Sequence, residues 1–147
     1  MNKTESRGRK GGEKFRVLIA DDHVLMKQSL RSLIDLLPDC VVVAEASNGE
    51  EAVLLAGQIE PDIILMDVRM PKMDGIEAAR QILVSQPGVK LLGLSAHEDR
   101  RYAATMIGLG ASGYLVKDHL STELYLAIKT VLEGKKYLSP GIFAPAG

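Results

Sequence analysis

The chain is short of cysteine, of net charge and of long apolar segments. Cys40 is the only cysteine, so no intrachain disulfide can form, which fits a reducing compartment such as the cytoplasm. The 18 Lys and Arg residues nearly balance the 19 Asp and Glu residues, so the net charge of −1 gives no overall attraction to nucleic acid or membrane. No apolar run approaches the ~20 residues of a spanning helix, and no signal-peptide pattern is present. These absences favour an ordinary soluble globular protein.

The length of the chain and the change in its composition predict one folded domain. A chain of 147 residues is long enough to bury a core. Residues 2–14 are basic and contain no large apolar side chain, so we expect residues 1–14 to be a disordered tail or an expression remnant; a nucleic-acid arm is the less favoured alternative. Residues 15–138 are expected to form the domain, and residues 139–147 to begin a linker.

Strand and helix patterns alternate from Phe15 onward. Short apolar runs such as Ile63–Asp67 are typical of strands buried on both faces of a parallel sheet. Between them lie segments with apolar residues at helical spacing, such as the stripe from Leu30 to Leu37 and a helix expected from about Asp99 to Leu109. Five βα units in succession predict a parallel sheet with right-handed crossovers and helices on both faces.

Polar side chains end four of the five predicted strands: Asp21 and Asp22, Asp67, Ser95 and Lys117. Because the carboxyl ends of parallel strands share one rim, we expect these groups to converge. Three carboxylates repel one another unless they protonate or bind a cation, and oxygen ligands without a His or Cys cluster favour Mg²⁺, with Mn²⁺ as a substitute. An ammonium and a hydroxyl beside the metal would clamp a phosphoryl group, with Asp67 as the candidate nucleophile.

These residues resemble the receiver domain of bacterial two-component response regulators over roughly Phe15 to Leu138. The matching stretches are Ile19-Ala20-Asp21-Asp22-His23, Met66-Asp67-Val68-Arg69-Met70-Pro71 followed by Met73-Asp74-Gly75, Leu94-Ser95-Ala96, and Gly113-Tyr114-Leu115-Val116-Lys117. Each motif is weak alone, but the whole set in this order is specific. The resemblance implies a doubly wound, flavodoxin-like (βα)5 fold with strand order 2-1-3-4-5.

The resemblance also implies the metal ligands. Asp67 is the implied phosphoacceptor and a metal ligand, Asp22 is implied to bind Mg²⁺ directly, and Asp21 is implied to assist through water. The backbone carbonyl of Arg69 is the implied third protein ligand. His23 directly follows the acid pair, but in similar receivers this residue is neither a ligand nor a proton donor.

Further roles follow from the same resemblance. Ser95 is implied to bond the phosphoryl group, Lys117 to pair with the acceptor or its phosphate, and Tyr114 to be the aromatic switch that turns inward on activation. Ala96 is implied to leave the site open to a phosphodonor, and His97 to modulate loss of the phosphoryl group. The charged run Glu98–Arg101 is expected to be a solvated helix face, with contact to a signalling partner as the alternative.

The residues after Lys117 indicate a subgroup. Asp118 stands where many receivers have a proline preceded by a cis bond, so no cis-proline is expected. This form, and the ending Val131–Pro140, resemble receivers of the NarL/FixJ (LuxR-like) type, which precede a helix-turn-helix. Too few residues follow Pro140 for that domain, so we expect a truncated chain, with a natural single-domain receiver as the alternative.

The implied function is a signalling switch with no turnover beyond its own phosphorylation and autodephosphorylation. The implied partners are a sensor histidine kinase or a small phosphodonor such as acetyl phosphate, a second copy on phosphorylation, and DNA only through the absent helix-turn-helix; no membrane partner is expected. A phosphohydrolase of the haloacid dehalogenase type would want a second Asp where Arg69 stands. A receiver-like module that has lost phosphorylation is disfavoured by the complete set of site residues.

Overall fold

The computed structural model describes residues 12–143. The predicted basic tail therefore lies almost entirely outside the described residues, as do the last four residues of the predicted linker segment. Within residues 12–143, no helix has the length and apolarity needed to cross a membrane.

Strands and helices alternate as the sequence predicts. The strands are β1 (Phe15–Ala20), β2 (Cys40–Ala46), β3 (Ile63–Asp67), β4 (Lys90–Ser95), β5 (Gly113–Val116) and β6 (Tyr137–Leu138). The α-helices are α1 (Val24–Asp35), α2 (Gly49–Ile59), α3 (Gly75–Ser85), α4 (Ala103–Gly108) and α5 (Leu120–Leu132). Two 3₁₀ helices, His97–Tyr102 and Lys117–His119, precede α4 and α5.

All strands are parallel, in the order β2-β1-β3-β4-β5-β6. This confirms the predicted doubly wound, flavodoxin-like fold and the order 2-1-3-4-5. The prediction of five strands is one short, because the two-residue β6 extends the edge beside β5. Two residues are too few to show the period-2 alternation that identifies a strand in sequence.

Two apolar clusters sandwich the sheet, which explains the unbroken apolar run of β3. Ile63 and Leu65 face a cluster that includes side chains of α1 and α5, whereas Ile64 and Met66 face a cluster with side chains of α2, α3 and α4. These four apolar side chains of β3 are fully buried, and each contributes about 1.5–3 kcal/mol through burial. This packing fixes where β3 ends, and therefore where Asp67 lies.

Helices α2 and α3 begin at side-chain caps. Asn48 accepts a hydrogen bond from the Glu51 amide, and Asp74 accepts one from the Glu77 amide, both at 2.9 Å. Such caps satisfy amides that have no partner within the helix. At the start of α3, a Cβ on Gly75 would collide with the Asp67 carbonyl oxygen, so only glycine lets this helix approach the end of β3.

The segment after α5 returns to the sheet edge. The Tyr137 amide donates to the Ser112 carbonyl at 3.1 Å, and the Ser139 amide donates to the Tyr114 carbonyl at 3.0 Å. The Ser139 hydroxyl accepts a hydrogen bond from the Val116 amide at 3.0 Å. Ser139 is therefore buried on β5, between the Tyr114 carbonyl and the residue that precedes Lys117.

Gly113→Ala is expected to displace β6 from the sheet. A Cβ at this position would collide with the Tyr137 carbonyl oxygen and lie 2.8 Å from a Leu92 methyl group. Hydrogen–deuterium exchange of residues 137–142 should accelerate at least about tenfold, because loss of the pairing opens this segment locally. Gly57→Ala in α2 is the matched control, since no atom lies within 4 Å of its added Cβ. Equal exchange in both variants would contradict the expectation.

Candidate functional site

Four side chains with metal-binding atoms meet at the carboxyl rim of the sheet. One ligand atom each of Asp21, Asp22, His23 and Asp67 lies within 4.8 Å of the others. Asp21 and Asp67 are buried at the ends of the neighbouring strands β1 and β3, whereas Asp22 and His23 are exposed. The structure thus brings together the three carboxylates that the sequence placed at one rim.

Lys117 joins this cluster from the end of β5. Its Nζ atom lies 2.8 Å from Oδ2 of Asp21 and 3.1 Å from Oδ2 of Asp67. Burial disfavours the charged form of Lys117, but the hydrogen bond to Asp21 and the negative charges of Asp67 and Asp21 outweigh it, and the pKa of the amine is raised. Lys117 is therefore a fixed positive charge between two buried acids.

Burial dominates the ionisation of Asp67. It raises the pKa of this carboxyl from 3.8 to about 6; Lys117 works in the opposite direction, and the negative charge of Asp21 adds to the increase. The Arg69 amide donates a weak hydrogen bond to Oδ1 of Asp67 at 3.3 Å. A single ammonium therefore leaves the carboxylates of this site short of positive charge.

The donor set fits a hard divalent cation. Oxygen atoms from three carboxylates are the ligands that Mg²⁺ and Mn²⁺ prefer. The acid pair at the end of β1 and Asp67 at the end of β3 would hold the ion, which would supply the missing positive charge.

His23 contacts both acids of the pair that it follows. Its Nδ1 atom is 3.1 Å from Oδ1 of Asp21 and 3.2 Å from Oδ1 of Asp22, and its amide donates to Oδ1 of Asp21 at 2.8 Å. The amide bond orients the Asp21 carboxylate, so the backbone of His23 contributes to the site whatever the imidazole does. In the sequence, this contribution is indicated only by the position of His23 directly after the acid pair.

Ser95 and Tyr114 lie beside the cluster and are both fully buried. The Ser95 hydroxyl donates to the Ala96 carbonyl at 3.0 Å, and the Tyr114 hydroxyl donates to the Asp99 carbonyl at 2.9 Å. A Cβ on Gly93 would lie 2.7 Å from the Tyr114 ring, so glycine makes room for the inward ring. Burial raises the pKa of Tyr114 to about 12, which keeps its hydroxyl a donor at neutral pH.

Ala96 and His97 follow Ser95 at the start of a 3₁₀ helix. Ala96 is half-buried and extended, and His97 is exposed. A groove of about 430 Å³ opens nearby, lined in part by Asp22, Arg69 and Tyr102. Asp22 belongs both to the lining of this groove and to the acid cluster.

The expectation that Glu98–Arg101 is only a solvated helix face is wrong for Asp99. Its side chain is 5% exposed and accepts two hydrogen bonds from the Arg69 guanidinium, at 2.6 and 2.9 Å. These hydrogen bonds, with the positive charge of Arg69, hold the pKa of the Asp99 carboxyl below its usual value. The signal in the sequence was weak, because the partner lies 30 positions away.

The expected helix from Asp99 to Leu109 is also replaced by a 3₁₀ helix followed by the short α4. The Ala103 amide donates to the Arg100 carbonyl, three residues back, and not to the Asp99 carbonyl as in an α-helix. The Asp99 carbonyl accepts the Tyr114 hydroxyl instead. A tertiary hydrogen bond therefore sets the local backbone.

Asp67→Asn is expected to stabilise the metal-free protein at neutral pH. The raised pKa of Asp67 means that its stabilising contribution is complete below about pH 4 and is lost as the pH rises through about 6. The variant lacks this loss, so its free energy of unfolding should exceed that of the parent by on the order of 1–3 kcal/mol at pH 7. Urea unfolding in the presence of a chelator measures the difference.

The same measurement at pH 4 and the exposed Asp118→Asn variant are the controls for this expectation. The advantage of Asp67→Asn should shrink at pH 4, and Asp118→Asn, which removes an exposed carboxylate, should have the stability of the parent at pH 7. An advantage that is equally large at both pH values would show that burial of the Asp67 charge is not its cause.

Residues 17–129 match the family described as the response regulator receiver domain. Among curated proteins, the chain is 40% identical over 129 residues to the transcriptional regulatory protein DegU of Brevibacillus brevis, covering 88% of this chain and 55% of DegU. It is 35% identical over 128 residues to the response regulator GacA of Pseudomonas viridiflava, covering 87% of this chain and 60% of GacA. The chain thus spans a little over half the length of these relatives.

Solved structures give the same result. A LuxR-family two-component response regulator from Aurantimonas sp. SI85-9A1 superposes with a TM-score of 0.83 at 35% identity, covering 89% of this chain and 94% of that structure. The signal receiver domain of the putative response regulator NarL from Mycobacterium tuberculosis superposes with a TM-score of 0.77 at 33% identity, covering 84% of this chain and 99% of that structure. The resemblance expected from the motifs is confirmed: the chain belongs to the response regulator receiver domain family and is of the NarL/FixJ type.

Proposed function

We propose that Asp67 accepts a phosphoryl group from a histidine kinase or a small phosphodonor such as acetyl phosphate, with Mg²⁺ bound at the acid cluster. The observation that carries this proposal is the placement of Lys117, which contacts both Asp21 and Asp67 at the rim where the three carboxylates meet. A buried nucleophile flanked by a fixed ammonium and a cation site suits a reaction that depends on positioning and charge neutralisation.

Asp67 acts as the nucleophile in this proposal. A carboxylate oxygen of Asp67 attacks phosphorus, the bond to the acetate or imidazole leaving group breaks, and an acyl phosphate forms on Asp67. Lys117 already lies within hydrogen-bond distance of Oδ2 of Asp67 and balances part of the added charge.

Asp22 would hold the metal directly, Asp21 would hold it through water, and Asp67 and the Arg69 carbonyl would complete the protein ligands. The bound ion supplies positive charge where the phosphoryl oxygens accumulate negative charge. Mn²⁺ would substitute, because it accepts the same oxygen ligands.

Ser95 would report phosphorylation. Its hydroxyl donates to the neighbouring Ala96 carbonyl, a bond that it would exchange for one to a phosphoryl oxygen on Asp67, at the end of the adjacent strand. Phosphorylation adds about 1.5–2 negative charges, and each charge-assisted hydrogen bond to them is worth about 1.5–3 kcal/mol. Two such bonds exceed the ~1.4 kcal/mol that shifts a two-state population tenfold. Ala96 and His97, at the mouth of the site, would tune access and loss of the phosphoryl group.

The family supports a proposal for the context of the switch. Receivers of this type regulate transcription, and we infer that this chain works in the cytoplasm, receives phosphate from a sensor histidine kinase, dimerises on phosphorylation, and acts on DNA only through an attached helix-turn-helix. A stand-alone receiver in a phosphorelay is the second candidate. Phosphohydrolase activity is disfavoured, because Arg69 stands where a second catalytic Asp is needed and its guanidinium is bonded to Asp99.

Phosphorylation by acetyl phosphate should be specific to Asp67. With Mg²⁺, the intact mass of the parent chain should rise by about 80 Da, the mass of one phosphoryl group. Asp67→Asn should show no such gain, because an amide is not a nucleophile here, and Asp118→Asn should match the parent. A gain in Asp67→Asn as large as in the parent would sink the assignment.

Asp22→Asn should weaken Mg²⁺ binding at least about tenfold, because it removes a negatively charged oxygen ligand from a site with few others. Calorimetric titration of the unphosphorylated protein measures the affinity. Asp35→Asn, which removes an exposed carboxylate at the end of α1, is the matched control and should bind as the parent does. Equal affinity in the two variants would contradict the assigned role of Asp22.

A further inference from the structure

Asp99 is a buried acid that the proposed phosphoryl transfer does not use. Its side chain is 5% exposed, and both carboxylate oxygens accept from one guanidinium: Nε of Arg69 at 2.6 Å and Nη2 at 2.9 Å. Two parallel bonds of this kind fix the orientation of both groups. The neighbouring Glu98 is exposed, and Arg101 of the same run lies 3.9 Å from Oδ1 of Asp99, so the bidentate contact with Arg69 is the closer of the two ion pairs of Asp99.

The main chain of Asp99 makes a second connection. Its carbonyl accepts the buried Tyr114 hydroxyl at 2.9 Å, and it is available because the Ala103 amide bonds to Arg100 instead. The side chain of Asp99 therefore contacts the loop after β3, and its carbonyl contacts the aromatic ring on β5. Movement of the 3₁₀ helix would change both contacts together.

Arg69 connects the ion pair to the acceptor. Its amide donates to Oδ1 of Asp67 at 3.3 Å, and its carbonyl is the metal ligand in the proposed function. The Arg69 side chain is 62% exposed, so little apolar packing holds it in place. Its guanidinium carbon also lies 5.8 Å from the centre of the Tyr102 ring. The bidentate bond to Asp99 is thus the main constraint on a residue whose backbone faces the acceptor.

We propose that Asp99 is a positioning residue of the acceptor site, which aligns the Arg69 backbone through the ion pair and holds the Tyr114 ring inward through its carbonyl. This inference rests on the proposed function, because it concerns the same metal and acceptor. In this inference, the Tyr114 ring already points inward in the unphosphorylated protein. The geometry of the loop after β3, which contains Arg69, then depends on the 3₁₀ helix that contains Asp99.

A double-mutant cycle tests the ion pair. Asp99→Asn and Arg69→Gln should each weaken Mg²⁺ binding by the unphosphorylated protein about fivefold to tenfold, because each removes the charged bidentate pair. The double variant should be no weaker than either single variant. Glu98→Gln and Arg100→Gln, which remove the same charges nearby, should stay within about twofold of the parent.

Tyrosine resonances give a readout that general destabilisation would not produce. The chain has no tryptophan and four tyrosines, so 3-fluorotyrosine labelling yields four ¹⁹F signals that Tyr→Phe variants assign. In Asp99→Asn, the Tyr114 signal should shift or broaden, while the signal of Tyr137, bonded to Glu123, should not. Arg69→Gln is the second variant if Asp99→Asn fails to fold, since truncating an exposed side chain leaves no cavity.

The outcomes separate this inference from the proposed function. Asp99 is not a positioning residue if Asp99→Asn matches Glu98→Gln in both Mg²⁺ affinity and the Tyr114 signal. The same conclusion holds if the losses of Mg²⁺ affinity in Asp99→Asn and Arg69→Gln add up in the double variant. If the parent chain binds Mg²⁺ but gains no phosphoryl group from acetyl phosphate, the proposed function fails while the cycle and the ¹⁹F spectra still decide the role of Asp99.

Discussion

The ammonium of Lys117 between Asp21 and Asp67 is the interaction on which the rest of the site depends. Two buried carboxylates on adjacent strands would repel each other strongly without a nearby cation. Lys117 can lie between them only because β5 ends at the same rim as β1 and β3. The parallel order of the sheet, the clusters on its two faces and the close approach of α3 at Gly75 all serve to place these three charged groups.

Sequence patterns predicted the features that local chemistry determines. The strand Ile63–Asp67 has the predicted bounds, because an apolar run that ends on a carboxylate can be buried only up to that carboxylate. The convergence of polar strand ends followed from parallel topology alone. The short β6 was missed because its pairing depends on the absence of a side chain at Gly113, on the adjacent strand, which no periodicity of residues 137 and 138 reveals.

The 3₁₀ helix shows why the remainder of the site could not be predicted. The composition of Glu98–Arg101 suits a solvated helix, and nothing local distinguishes Asp99 from Glu98. Two distant groups decide the outcome: the Arg69 guanidinium removes the Asp99 carboxylate from solvent, and the Tyr114 hydroxyl takes its carbonyl. Both partners are separated from Asp99 by 15 residues or more, so only the folded sheet brings them to it.

Strand β5 carries the connection between the acceptor rim and the segment that follows α5. The Tyr114 ring on β5 and the amine of Lys117, the residue directly after β5, face the site. The Tyr114 carbonyl and the Val116 amide instead bond to Ser139. Because one short strand holds both sets of contacts, β5 cannot shift toward a newly charged Asp67 without also straining the hydrogen bonds of Ser139. The segment that begins at Ser139 is thus attached to the strand that ends directly before Lys117.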